Sequence, residues 1–306
     1  MRRFGSDKCW FKSGLTLSLG LLIILCLSVS VKAELLQWSL KPDFAACQKT
    51  KDAVWAEYTA GEDCIRFFPA GPLNDASVAL VLLRGDTEGW VRRKPSDIPD
   101  STAEAQTSRA QKTAQAIGLP VIVLARPGTF GSSGNHLRRR QAAEFLALNA
   151  ALDAIQKRYG IKKLVLMGHS GGATAAAAIL TLGRSDVSCA VLTSGAYGLL
   201  ERAQILRAEA GVKQRPGRDT TGLTAPYDPL EHISGIAKDA NRSIIIIGNP
   251  RDRVTPFSLQ RRFVELLALN GHSAHLITHD AFPPNYHNLR DNIGLKEAAA
   301  CARTAQ

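Results

Sequence analysis

Residues 161–180, IKKLVLMGHSGGATAAAAIL, decide how the whole sequence is interpreted. An apolar strand candidate leads into the turn sequence GHSGG, with Ser170 at its centre, and a helix candidate rich in alanine follows. The glycines of this turn either only permit a tight bend or hold the Ser170 hydroxyl where it can attack a substrate. The strand before the turn and the helix after it favour the second interpretation, because they form the context of a turn that exposes a nucleophile.

The rest of the chain alternates apolar strand candidates with helix candidates. The strand candidates are short runs that are apolar on both faces, at residues 78–83, 121–125, 164–167, 189–193, 243–248 and 275–278. One helix candidate begins at a capping-box pattern of Ser101 and Glu104, and two more cover residues 140–160 and 256–271. This alternation predicts an α/β fold with a mostly parallel central sheet and helices on both faces.

Two segments depart from the alternation. Residues 34–72 contain two strand candidates, 52–59 and 65–69, separated by a turn with a glycine, which predicts an antiparallel entry to the sheet. Residues 197–242 separate two strand candidates and include a polar, turn-rich stretch. A segment of that length predicts either a small lid or a surface excursion.

The first 33 residues have the pattern of an export leader. Basic residues precede an apolar run over residues 15–31: Arg2, Arg3, Lys8 and Lys12. Small residues then surround the candidate cleavage point after Ala33. We expect residues 1–33 to be a signal peptide and residues 34–306 to be a single exported domain, periplasmic or secreted. The alternative is that residues 15–31 stay uncleaved as a membrane anchor.

Charge and composition argue against nucleic-acid binding. The chain has 38 Lys and Arg residues against 27 Asp and Glu residues, and removing the leader lowers its net charge from +11 to +7. The basic residues are scattered except at 138–140, and no aromatic residues interleave them as single-strand binding requires. The Arg138–Arg140 run is predicted to be a solvated face near a helix start.

Four cysteines follow the leader: Cys47, Cys64, Cys189 and Cys301. An even number in an exported chain favours disulfide bonds, and three pairings are possible. Cys47 with Cys64 would close a short loop, and Cys189 with Cys301 would then tie a late strand to the last helix candidate. Free buried thiols are the alternative. No Cys or His cluster has the spacing of a metal site, and no cofactor is expected.

Ser170 needs a base to accept its proton and a carboxylate to orient that base. Asp252 follows the 243–248 strand candidate, where a loop can present it to a histidine, although it could also be an ordinary loop residue or a helix cap. Several later histidines are candidates for the base: His272, His275, His279 and His287. His287 is favoured, because its longer loop can return to the carboxyl edge of the sheet, and His279 is the alternative.

The carbonyl under attack would develop negative charge, which needs two preorganised donors. The first is the backbone N–H of Gly171, the residue after the nucleophile. The second is expected in the loop after strand candidate 78–83, where we nominate the N–H of Asp86, with Thr87 next to it. The acidic side chain of Asp86 must then point away from the oxyanion.

With Ser170, Asp252 and His287 assigned, the chain resembles the α/β-hydrolase superfamily, and within it serine hydrolases of the prolyl-oligopeptidase and dienelactone-hydrolase type. The resemblance is carried by YDPLEHISGI at 227–236, by the acid loop and helix at 244–271, and by the glycine-rich RPGTFGSSGNH at 126–136. The sequence departs from that group at Arg84-Gly85, where His-Gly is usual, and residues 34–72 are too short for a β-propeller.

The resemblance implies an exported serine hydrolase that cleaves an ester or a peptide-like amide through an acyl-enzyme. A small-molecule ester or peptide is the expected partner, and stable membrane insertion is not expected once the leader is cleaved. Two alternatives remain open at this point: a non-catalytic binding protein on the same scaffold, and an acyltransferase with the same triad. The sequence carries no signal for the oligomeric state.

Overall fold

The computed structural model describes residues 38–59, 61–86, 89–90, 93–94, 97–98 and 100–304. The predicted leader, its alternative as an anchor and the residue Thr87 lie outside these ranges. The division into a signal peptide and a single domain therefore stays a prediction. Among the described residues, no helix has both the length and the apolar character needed to cross a bilayer.

Strands and helices alternate along the chain. The strands are β1 Ser39–Leu40, β2 Ala53–Tyr58, β3 Gly61–Ala70, β4 Val78–Leu83, β5 Val121–Leu124, β6 Gly134–Asn135, β7 Lys163–His169, β8 Val187–Thr193, β9 Ser243–Gly248 and β10 Ser273–Thr278. The helices are α1 Phe44–Lys49, α2 Ala103–Ile117, α3 Ala142–Tyr159, α4 Gly171–Thr181, α5 Leu199–Glu209, α6 Phe257–Leu269 and α7 Ile293–Thr304. Each predicted strand and helix is present, within a few residues of its predicted bounds.

Eight of the described strands form one sheet in the order β10-β9-β8-β7-β4-β5-β3-β2. The strands from β10 to β5 are parallel, and β3 and β2 are added antiparallel at the far side. The predicted antiparallel entry and the mostly parallel sheet are both confirmed. Because β7 lies inside the sheet between β8 and β4, its carboxyl end meets the loops that follow both neighbours.

Helices cover both faces of this sheet, as predicted. On one face α3, α4 and α6 pack against alternate strand residues such as Leu164 and Leu166. On the other face α2 and α7 pack against the intervening residues, among them Val165. Burial of each strand on both faces explains why the strands read as continuous apolar runs in the sequence.

Two disulfide bonds are formed, Cys47–Cys64 and Cys189–Cys301. The first joins α1 to β3, and the second joins β8 to α7 across 112 residues. One of the three possible pairings is thus selected, and it combines the short-range bond with the bond to the last helix. Cross-links of this kind stabilise a fold mainly by restricting the unfolded chain.

Two local predictions are wrong. The α2 helix is capped by Thr102 rather than Ser101, since the Thr102 side chain accepts the N–H of Ala105 at 3.2 Å. The Arg138–Arg140 run is not a solvated face, because Arg139 and Arg140 are only 6% and 2% exposed. Both arginines are buried against carboxylates from distant parts of the chain, which the local sequence does not reveal.

Residues 197–242 are packed onto the fold through polar contacts. After α5, Asp219 is fully buried near Arg140, at 3.5 Å, and Thr220 accepts hydrogen bonds from Arg140 and Arg202. Further on, Asp228 accepts from the N–H of Leu199 at the start of α5. The segment is therefore anchored at several points along its length.

Candidate active site

Ser170 occupies the turn between β7 and α4, in a strained backbone conformation with φ +55° and ψ −124°. The glycines on either side are sterically required. A Cβ on Gly168 would lie within 2.3 Å of the Gly172 carbonyl oxygen, and one on Gly172 within 2.1 Å of the Leu83 carbonyl oxygen. The turn therefore has the tightness that the sequence predicted, and it sets the serine at the carboxyl edge of the sheet.

Asp252 and His287 are brought together by the loops after β9 and β10. The Nδ1 atom of His287 lies 2.9 Å from Oδ2 of Asp252. The carboxylate is buried, and the backbone N–H groups of Val254 and Thr255 donate to its Oδ1 at 2.8 and 3.0 Å. With Nδ1 facing Asp252, Nε2 is the ring nitrogen left for proton transfer.

Ser170 and His287 line one cavity of about 500 Å³. The cavity lies at the carboxyl ends of β4 and β7, and Asp86, Trp90 and Asn288 also line it. None of its described lining residues comes from residues 197–242, the segment predicted as a lid or a surface excursion. The cavity brings the predicted nucleophile and the favoured base to one place.

The other candidate histidines lie elsewhere. His279 faces Asp291, with Nε2 at 3.5 Å from the carboxylate, and it lines a different cavity with Asn249 and Arg251. His275 is exposed on β10, and His272 is buried in the turn after α6. Among the described histidines, His287 is the one that contacts Asp252.

The two nominated oxyanion donors flank the serine. Gly171 begins α4, and Asp86 belongs to the loop after β4. Among the described residues, neither backbone N–H has an intramolecular acceptor. The loop lies close to the serine at Gly85, where a Cβ would stand 3.1 Å from the Ser170 Cβ and 3.7 Å from its hydroxyl oxygen.

The Asp86 carboxylate is held by a buried group of arginines. Arg126 donates to Oδ1 at 2.6 Å, Arg140 donates to Oδ2, and Arg139 lies 3.4 Å from Oδ2. Burial alone would raise the pKa of Asp86, but Arg140, Arg126 and Arg139 together hold it well below its ordinary value. The carboxylate is thus ionised and paired.

This network also ties the loop after β4 to α3. Arg126 bridges Asp86 and Glu144, donating to Glu144 through Nε at 2.6 Å. Burial lowers the pKa of Arg126, but the two carboxylates outweigh it, so the net direction is upward. The other Glu144 oxygen accepts the backbone N–H of Arg140 at 2.6 Å. Such an array fixes the position of the loop from which the Asp86 N–H projects.

Comparison with solved structures identifies the fold. The Pyrococcus furiosus esterase Pf2001 is similar, with a TM-score of 0.57 and 15% sequence identity, over 87% of this chain and 94% of that chain. Est1E from Butyrivibrio proteoclasticus, with ferulic acid bound, has a TM-score of 0.52 and 14% identity, over 82% and 97% of the two chains. The chain has the α/β-hydrolase fold. The fold predicted from the sequence is therefore confirmed.

A peptidase shares this α/β-hydrolase fold over part of its length. The acylaminoacyl peptidase of Pyrococcus horikoshii has a TM-score of 0.50 and 11% identity, over 86% of this chain but only 42% of its own. No protein-family model matches the sequence, and no curated protein is similar to it. At these identities the comparisons establish the α/β-hydrolase fold alone.

The sequence interpretation missed His169. Its ring lies 5.0 Å from the ring of His287 between centroids, and its nitrogens lie 3.1 Å from the Thr193 hydroxyl and 3.2 Å from the Asn288 side-chain oxygen. Burial first, and then His287, lower the pKa of His169 to about 4. His169 is therefore neutral at pH 7. Its place just before the serine was the available sequence signal.

The sequence also missed the arginines Arg126 and Arg140, which neutralise Asp86. Neither is near Asp86 in the chain, and only the folded loops bring them together. Among the described residues, no cluster of three or more His, Cys, Asp or Glu side chains could hold a metal ion.

Proposed function

We propose that this α/β-hydrolase is a serine hydrolase with Ser170 as nucleophile, His287 as general base and Asp252 as the residue that orients His287. The observation that carries the proposal is the 2.9 Å contact between His287 and Asp252 at the cavity that Ser170 lines. Three residues from separate loops, in the chain order Ser, Asp, His, meet the requirements of this chemistry.

The reaction follows from these positions. His287 Nε2 removes the Ser170 proton as the hydroxyl oxygen attacks the substrate carbonyl carbon. The resulting imidazolium is stabilised by Asp252 and gives its proton to the leaving alcohol or amine, which departs and leaves an ester on Ser170. Water then attacks this ester as His287 removes its proton, and His287 passes that proton to the Ser170 oxygen as the carboxylic acid departs.

The N–H groups of Gly171 and Asp86 are proposed to bind the oxyanion. Gly171 lies at the N-terminus of α4, which adds the favourable end of the helix dipole. The Asp86 carboxylate oxygen Oδ1 lies next to the Gly171 backbone, so its negative charge would oppose an oxyanion there. Its pairing with Arg126 and Arg140 offsets that charge and so supports the assignment. Loss of one such donor typically costs about 100- to 1,000-fold in rate.

Esters and peptide-like amides are the proposed substrates. The similar structures include esterases and an acylaminoacyl peptidase, and the cavity of about 500 Å³ has room for a small acyl group. The two disulfide bonds further support the proposal that the domain is exported to an oxidising compartment.

Labelling with a fluorophosphonate tests the proposed nucleophile. The wild-type protein should be labelled at Ser170 and should hydrolyse p-nitrophenyl esters, whereas Ser170→Ala should do neither. Ser258→Ala, at an exposed serine on α6, is the matched control and should be labelled like the wild type. A wild-type protein that is folded but neither labelled nor active would leave a binding protein as the better account.

A further inference from the structure

The cavity beside Ser170 is lined by two arginines, Arg84 and Arg109. Arg84 is the first residue after β4, and it directly precedes Gly85, whose backbone packs against Ser170. Arg109 belongs to α2, the helix that packs with α7 on the face of the sheet that includes Val165. Two arginines therefore border the cavity that a substrate attacked by Ser170 would occupy.

The charge of Arg84 is poorly neutralised. Its side chain donates to the Gln106 amide oxygen at 3.0 Å and lies over the rings of Trp90 and Phe130, at 5.7 and 5.2 Å from their centroids. Among the described residues, no carboxylate lies within ion-pair distance of it. Burial first, and then Arg109, lower the pKa of Arg84 to about 10, so it remains charged at pH 7.

Arg109 has a single weak ion pair in the described part of the chain. Its Nη2 atom lies 3.7 Å from the Asp100 carboxylate, and both side chains are substantially exposed, at 42% and 64%. An exposed pair at this distance contributes little and exchanges readily with a better partner. The same exposed carboxylate also attracts Arg84 from a greater distance.

No other described group lining the cavity offsets this positive charge. Asp86 also lines the cavity, but its carboxylate is already paired with Arg126 and Arg140. His169 is neutral at pH 7, since its pKa is about 4. The remaining walls are mainly apolar, with Leu82, Val123 and Met167 among them. Within the described part of the chain, the cavity therefore combines an apolar wall with a cationic end that few carboxylates offset.

We propose that this cavity selects substrates that carry a carboxylate a few bonds from the scissile carbonyl, with Arg84 and Arg109 as the anion-binding residues. Guanidinium groups bind carboxylates through two parallel hydrogen bonds, and a partly buried site strengthens the attraction. The apolar wall accommodates the carbon chain between the carboxylate and the reacting carbonyl. This inference rests on the proposed role of Ser170 and names the substrate class for that site.

The carboxylate can belong to the acyl group or to the leaving group, and two substrate pairs separate these cases. The acyl pair is mono-p-nitrophenyl adipate and neutral p-nitrophenyl heptanoate. The leaving-group pair is 4-carboxyphenyl butyrate and the corresponding neutral methyl ester. In the wild type, we expect kcat/KM to favour the anionic member of at least one pair by about tenfold or more.

Substitutions of Arg109 and Arg84 test whether these arginines cause the preference for the anionic substrate. Arg109→Gln should reduce the preference by about tenfold, mainly through a higher KM for the anionic ester, and Arg84→Lys should retain more of it than Arg84→Met. Arg261→Gln removes the same charge from the exposed face of α6 and should leave the preference unchanged. Equal rates within both pairs, or a preference that Arg109→Gln does not reduce, would overturn the inference.

Binding of adipate to Ser170→Ala, measured by calorimetry, separates this inference from the proposed chemistry. Adipate should bind, and Arg109→Gln in the same background should weaken its binding by about tenfold. Hydrolysis of neutral esters without adipate binding would overturn the carboxylate site and leave the hydrolase intact. Arg109-dependent adipate binding by a wild type that cleaves no ester would support the site and overturn the proposed reaction.

Discussion

The Asp252 carboxylate is held in place by groups other than His287. Its Oδ1 accepts two backbone N–H groups, and the Thr255 hydroxyl donates to Oδ2 at 2.8 Å, beside the His287 contact. A carboxylate fixed in this way selects the imidazole tautomer that carries its proton on Nδ1, and leaves Nε2 free to accept the serine proton. The effect of Asp252 on the reaction should therefore depend on its charge and not only on its shape.

We expect Asp252→Asn to lower kcat by roughly 1,000- to 10,000-fold with little change in KM. The substituted amide keeps the size of the side chain but can no longer hold the required tautomer or stabilise the imidazolium. Steady-state kinetics on an ester that the wild type hydrolyses measure the effect. His279→Asn is the matched control and should retain activity within about twofold, because His279 faces Asp291 in a different cavity. Full activity in Asp252→Asn would remove Asp252 from the proposed triad.

The sequence predicted the positions of single residues where a chemically suitable side chain follows the end of a parallel strand. Asp252 and His287 follow strand ends, and parallel strands bring such loops to one edge, so their meeting could be expected. Arg109 offers no comparable signal, because an arginine within α2 looks like any solvated helix residue until the helix packs beside the cavity. Its relation to Arg84 depends on tertiary structure alone.

At the scale of the element, the turn between β7 and α4 depends on close contact between backbones. The Gly172 Cα faces the Leu83 carbonyl of the neighbouring strand at a distance that leaves no space for a methyl group. The obstructing atoms belong to a hydrogen-bonded strand in the middle of the sheet, and they cannot move aside as a flexible side chain would.

Gly172→Ala is therefore expected to destabilise the protein by on the order of 3 kcal/mol, at the upper end of the cost of overpacking. Urea unfolding followed by circular dichroism measures the change. Gly89→Ala is the matched control, since a Cβ there meets nothing within 4 Å. Equal unfolding midpoints for the two variants would mean that the turn is less tightly packed than described.

Strands and helices could be predicted from the sequence where their burial leaves a recognisable pattern of apolar residues. The β8 and β9 strands are apolar on both faces because helices cover both faces, and the sequence reveals this directly. The buried run at Arg139 and Arg140 was misjudged, because a buried charge is tolerated only with partners. Those partners, Asp86 and Asp219, are more than 50 residues away along the chain.

At the scale of the whole molecule, the buried His136 and the partly buried His169 link stability to pH. Burial and Arg126 lower the pKa of His136 to about 3, and burial and His287 lower that of His169 to about 4. Both values lie below the ordinary value of 6.5, so the unfolded chain binds more protons than the folded chain below that pH. Stability should therefore be lost as the pH falls from about 6.5 toward 4.

His136 should account for about 2 kcal/mol of the stability lost between pH 7 and pH 5. The His136→Phe variant retains a ring but cannot be protonated, and neither His136 nitrogen has a hydrogen-bond partner among the described residues. Urea unfolding at both pH values gives the loss for each protein, and the variant should lose less than the wild type. If the wild type and the variant lose the same unfolding free energy between pH 7 and pH 5, protonation of His136 does not cause the pH dependence of stability.

The α4 helix behind Ser170 has no solvent-facing side: each of its residues, from Gly171 to Thr181, is buried. Anyone redesigning this protein has no position on that helix for a tag, a fluorophore or a charged substitution. Changes to the proposed substrate range would instead be introduced at cavity residues outside this helix, such as Trp90, Arg109 or Asn288. The part of the molecule nearest the nucleophile is thus the least adaptable, and new specificities would have to arise around it.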